Sequence, residues 1–182
     1  MTHPVSRAES PIPDTIVLRR HRDLAGRRHQ KWFRRALLLL VGLVPLLALL
    51  NVFGQRPHVA RADSPAAQLE LYSTDRLRGG LLWEARFTVT AHRELKDARL
   101  ELDKGWGEGM TINTIEPSPI GEGSNDGRLV FDLGHVPAGQ RHILFMQIQV
   151  NPTNVGRRPQ NVRLYDGEQL LATIDRTVTV FP

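Results

Sequence analysis

Hydrophobic and polar positions alternate in two different rhythms along this chain, and the change between them falls near residue 55. From Ala36 to Phe53 the chain reads ALLLLVGLVPLLALLNVF, and no charged residue occurs between Arg35 and Arg56. At about 1.5 Å per residue such a stretch measures roughly 27 Å, close to the hydrocarbon thickness of a bilayer. Its many leucines each favour insertion by about 0.3–0.6 kcal/mol, which offsets Asn51 near one end. Pro45 and Gly42 are compatible with a membrane helix, where Pro45 predicts a kink. The reading is a single transmembrane helix over residues 36–53.

After a Pro/Ala-rich tether over residues 54–67 the period drops to two. Leu81, Trp83, Ala85, Phe87 and Val89 alternate with Glu84, Arg86, Thr88 and Thr90, the signature of a strand with one buried face. Gln68–Ser73, Ala98–Asp103, Met110–Ile115 and Leu129–Leu133 add further strands. Ile143–Val150 is apolar on both faces at its start, which predicts a central strand with Leu144, Met146, Ile148 and Val150 inward. Asn125-Asp126-Gly127 and Asp166-Gly167 supply turn chemistry. Val162 and Leu164 precede the second turn, and Gln169–Phe181 closes the chain. The pattern predicts seven or eight strands in an antiparallel β-sandwich over residues 68–182.

Charge adds an orientation. Nine of the 24 Lys+Arg and three of the 19 Asp+Glu fall in residues 1–35, so this tail carries +6 and the remainder −1. Arg27, Arg28, Lys31, Arg34 and Arg35 crowd one flank of the apolar run, against Arg56 and Arg61 on the other. The positive-inside rule then places the tail in the cytoplasm and the β domain outside, at the cell membrane. The competing reading is a signal peptide cleaved after Ala62, at Ala60-Arg61-Ala62, although the apolar run exceeds an ordinary signal core. Confinement of the basic excess to the tail argues against nucleic acid as the partner of the β domain.

The absence of cysteine excludes disulfides, thiol catalysis and cysteine-ligated metals. His92, His135 and His142, with Met110 or Met146, match no metal-binding spacing. Asp97, Glu101, Asp103, Glu108, Glu116, Glu122 and Asp126 offer carboxylates, but the spacing selects no pair for glycoside chemistry and no calcium loop. Neither a nucleophile elbow nor a phosphate loop is present. The expectation is a non-enzymatic protein without a cofactor.

Several short patterns carry a resemblance: Leu100-x-Leu-x-x-Gly-Trp106, Asn113-Thr-Ile-x-Pro-x-Pro119, Asp126-Gly-x-Leu-x-Phe-x-Leu-Gly134 and Val136-Pro-Ala-Gly139. Together they resemble bacterial Ig-like surface modules of the conserved-repeat and cell-adhesion-related type. The resemblance spans about residues 69–182 and implies an Ig-like sandwich used as a spacer, adhesion unit or enzyme accessory. A single copy is present, so a stalk of repeats is not implied.

The segment Gly105–Gly127 has the weakest strand character and frames an aromatic residue with glycines and prolines. Trp106, Met110, Pro117 and Pro119 are therefore the candidate partner-binding residues, since Trp is favoured at binding hot spots. The competing reading packs Trp106 over the open end of the sandwich. The expected function is to bind or scaffold another envelope protein. The alternative is a cell-wall glycan module stacking sugars on Trp106 or Trp83, and a membrane-anchored enzyme stands third.

Overall fold

The computed structural model describes residues 28–52 and 55–182, and the N-terminal tail before Arg28 lies outside the described residues. Two compact units divide the chain, residues 1–47 and 48–182.

The helix α1 (Arg28–Leu49) has 22 residues with Pro45 inside, and all but its last two residues fall in the first unit. Its span of about 33 Å begins eight residues before Ala36, because RHQKWFRR contains good helix formers and no glycine or proline. The leucines of α1 are exposed except the half-buried Leu47, and so are Trp32 and Phe33. Among the described residues this is the one helix long and apolar enough to cross a membrane. It ends at Leu49, earlier than Phe53. Asn51 adopts a left-handed backbone (φ 55°) and donates its N–H to the Ala48 carbonyl at 2.9 Å. Asparagine tolerates that conformation at a helix end.

The second unit is a β-sandwich of thirteen strands: β1 (Pro57–Asp63), β2 (Ala67–Thr74), β3 (Arg76–Arg78), β4 (Leu82–Ala91), β5 (Leu95–Leu102), β6 (Met110–Glu116), β7 (Gly121–Asn125), β8 (Arg128–Val136), β9 (Arg141–Val150), β10 (Gly156–Pro159), β11 (Val162–Asp166), β12 (Gln169–Ile174) and β13 (Thr177–Phe181). One five-stranded sheet runs β1-β2-β4-β9-β6, and the other runs β12-β11-β5-β8-β7. A three-stranded sheet, β10-β13-β3, completes the domain. All pairs are antiparallel except β13 with β3.

The count exceeds seven or eight for a physical reason. β3 (RLR), β7 (GEGSN) and β10 (GRRP) are too short or too polar to show an alternating apolar face. Residues 57–63 are likewise no tether. They form β1, an edge strand paired with β2 from Pro57↔Thr74 to Asp63↔Gln68. Ala60 and Ala62 rest against the core, with side chains too small to announce a strand.

Where alternation was strong, the register matches it. Trp83, Ala85, Phe87, Val89 and Ala91 of β4 are buried, while Leu81, just before the strand, is 44% exposed. Leu144, Met146, Ile148 and Val150 of β9 are buried, and β9 lies between β4 and β6. One continuous cluster takes in Leu69, Phe87, Leu100, Phe131, Ile148, Leu164 and Val178, so all three sheets share a core. Asp126 (φ 54°) and Gly127 (φ 75°) turn β7 into β8, the paired left-handed geometry that suits a two-residue hairpin.

Candidate functional site

The segment Gly105–Gly127 is not a single loop. Its first residues fold inward. After Leu102 the chain makes a short 3-10 turn, Lys104–Trp106. Gly105 lets this turn press against β10, since a Cβ there would lie 2.1 Å from the Pro159 carbonyl oxygen. Trp106 is carried into the core and is 0% exposed. Its ring stacks on Trp83 at 5.6 Å between centroids and meets Phe87 at 5.3 Å. The Arg176 guanidinium lies 5.5 Å from the Trp106 ring centroid, a cation–π geometry.

The Arg176 side chain is itself only 8% exposed. It donates to the Thr74 carbonyl at 2.7 Å and faces Asp75 at 3.3 Å. Burial pushes its pKa down and the Asp75 charge opposes that shift. The Gln160 side-chain amide, 0% exposed, donates to the Gly105 carbonyl at 3.1 Å and approaches the Met110 sulfur at 3.5 Å. Met110 is 7% exposed. Trp106 and Met110 therefore cannot present a contact surface, which corrects the expectation for both. The same burial removes Trp106 and Trp83 as platforms for a sugar ring.

The rest of the segment turns outward. Pro117 is exposed and Pro119 half-buried, in the connection between β6 and β7. Ile120 beside them is 79% exposed, the most exposed large hydrophobic side chain of the β domain among the described residues. β6 and β7 are edge strands of the two opposing five-stranded sheets. Between them runs a groove of about 330 Å³, lined by Ile112, Thr114, Ile115, Glu122, Gly123 and Leu129 among others. Asn125 and Arg128 flank the two-residue turn as a pair. Antiparallel alternation then directs the backbone groups of Ser124 and Glu122 away from β8, toward the open side. The site thus has two unpaired edges, an apolar floor and an exposed isoleucine, and β7 has no bulky side chain on its glycines.

A second cleft of about 370 Å³ opens where β2 leaves β4. The β2–β4 pairing stops at Tyr72↔Arg86, and the chain then passes into β3 of another sheet. The Gln55 amide nitrogen, Ser73 hydroxyl and Trp83 indole nitrogen at this cleft have no hydrogen-bond partner, but all three atoms are closed off from solvent.

Three of the candidate carboxylates, Asp97, Glu101 and Asp103, are engaged by arginines on the outer face of the second sheet. Arg163 bonds Asp103 at 2.7 Å and Glu101 at 3.2 Å, and Arg128 reaches Glu101 at 3.2 Å. Asp103 holds the Arg163 pKa up, against partial desolvation. Arg99 bridges Asp132 at 2.9 Å and Asp97 at 3.2 Å. The histidines are dispersed. His135 pairs with Glu94 at 2.9 Å and His92 approaches Asp63 at 3.8 Å. His142 is half-buried, and burial lowers its pKa. Among the described residues no three His, Asp or Glu side chains converge as a metal-binding group.

No protein-family model matches this sequence, and no curated protein aligns with it significantly.

Proposed function

We propose that this chain is a membrane-anchored, non-enzymatic module that binds or scaffolds another envelope protein through the open side between β6 and β7. In this reading α1 crosses the cell membrane once, with residues 1–35 in the cytoplasm and an Ig-like β-sandwich outside. The observation that carries the binding role is the juxtaposition of two unpaired edge strands around a groove floored by Ile112, Ile115 and Leu129, with Ile120 exposed in the connection between the two strands. Unpaired edges offer main-chain hydrogen bonds to an incoming segment, and a neighbouring apolar groove accepts its side chains. Ile120, in the connection between those edges, would add apolar area to such a contact. Engagement of Glu101, Asp103, Asp97 and Asp132 by arginines supports a structural rather than catalytic use of those acids.

The test is chemical crosslinking of the full chain in intact membranes. A discrete adduct should form with the native chain and be lost in Ile120→Ser and Ser124→Pro, which remove the apolar contact and an outward N–H. Thr88→Ala, on the outer face of β4, should keep it. An adduct that survives both edge substitutions would refute the site. Orientation is tested separately: protease added from outside should digest the β domain and spare the tail, and the reverse pattern would refute it.

A further inference from the structure

The three-stranded sheet has a face that the partner-binding proposal does not use. In β3 the buried Leu77 separates two exposed arginines, Arg76 and Arg78. In β13 the buried Val178 and Val180 alternate with Thr177, Thr179 and Phe181. Pairing fixes which residues share a face: Arg157↔Thr179 and Thr179↔Arg76 form one row, and Phe181↔Arg78 forms the next. Three arginines from two strands thus lie on one outer face, flanking the threonines of β13.

No carboxylate interrupts these rows. Asp75 and Asp175 precede β3 and β13, and Asp75 is drawn to Arg176 at 3.3 Å. Among the described residues neither Arg78 nor Arg157 has a carboxylate within ion-pair distance. Residues 36–182 are close to neutral overall, so this concentration is local and not a reflection of composition.

Arg76 donates a hydrogen bond to the Val52 carbonyl, and Val52 is three residues beyond Leu49, the last residue of α1. Three residues span at most about 11 Å. Arg56 also binds the turn after α1, donating to the Leu50 and Asn51 carbonyls at 2.6 and 3.1 Å.

We infer that the outer face of β3, β13 and β10 is a contact surface for the anionic phosphodiester headgroups of the membrane that the chain crosses. The inference rests on the reading of α1 as a membrane span. Arginine suits this partner, because its planar guanidinium pairs with phosphate oxygens through two donors. Each arginine near an anionic surface favours contact by about fivefold, and the attraction is screened by salt. Such contact holds the β domain against the bilayer and restricts which side the β6/β7 groove presents.

The test uses the full chain in nanodiscs. Because the sequence lacks cysteine, Thr177→Cys gives one dye site on this face, and Ala138→Cys, in the turn between β8 and β9, gives a control. Lipids bearing a headgroup spin label report proximity by quenching. With phosphatidylglycerol present, the dye at position 177 should be quenched several-fold more than in pure phosphatidylcholine. The excess should vanish in 1 M NaCl and in Arg78→Glu/Arg157→Glu, persist in Arg78→Lys/Arg157→Lys, and be absent at position 138. Equal quenching in both lipids, or quenching untouched by charge reversal and salt, would overturn the inference. Failure of the chain to enter nanodiscs is read separately by size-exclusion chromatography. That result would overturn the membrane span, and this contact with it.

Discussion

The two halves of the segment from Gly105 to Gly127 share a composition and have opposite fates. Each combines glycines with a large apolar side chain, Trp106 in one and Ile120 in the other. Trp106 is fully buried and Ile120 is 79% exposed. The difference lies in what precedes each residue. Trp106 follows β5, whose Leu100 and Leu102 are already in the core, and Gly105 permits the close turn that keeps the chain there. Ile120 follows β6, an edge strand whose pairing with β9 shifts between Ile112 and Thr114. From there Pro117 and Pro119 carry the chain to the opposing sheet. Here the bulky residue is buried where the strand before it ends over the core, and exposed where that strand is an edge.

The largest effect expected from this contrast is at Trp106. Trp106→Ala should destabilise the β domain by about 3–5 kcal/mol, because it opens a cavity under Trp83 and Phe87. A denaturant melt of the full chain would show it, and a melt unchanged from the native protein would place Trp106 at the surface after all. Met110→Ala is the next in size, about 2–3 kcal/mol for a buried methionine. A loss below about 0.5 kcal/mol would mean that the inward half stops at Trp106.

Far smaller changes are expected on the outer half. Pro119→Ala and Ile120→Ser should each shift stability by no more than about 0.5 kcal/mol, as for surface positions generally, while Ile120→Ser abolishes partner crosslinking. A loss of 2 kcal/mol or more at Ile120 would show that it packs as core. The smallest effect should come from Thr88→Ala, on the solvent face of β4, with neither stability nor crosslinking altered. A cost there matching that of Phe87→Ala would mean a one-residue slip of β4, which exchanges the two faces.

The same contrast explains what the sequence made legible. β4, β9 and the inward residues of β5 and β8 are bulky and regularly spaced, so both the strands and their buried faces could be read from it. The turn at Asp126-Gly127 was equally open, because few residue pairs favour left-handed backbone. β1 and β7 were not legible. PHVARAD buries only small alanines, and GEGSN has no apolar side chain, so their strand character comes from pairing with β2 and β8 rather than from local preference. The arginine face was hidden for another reason. Arg76, Arg78 and Arg157 are far apart in sequence, and β13 joins them only once it has paired in parallel with β3. The groove borders the segment that the sequence singled out, but the sequence ranked its residues by chemical type. Trp106 drew attention as an aromatic and is buried, whereas Ile120 is the exposed apolar residue.

The central claim is that the outward half meets a protein partner while the inward half serves only the core. The most direct measurement places a photo-crosslinking amino acid at position 120, and in a separate chain at position 88, and irradiates intact membranes. The account predicts one discrete adduct from position 120, abolished by Ser124→Pro in the same chain, and none from position 88. No adduct from position 120, or the same adduct from both positions, would contradict it.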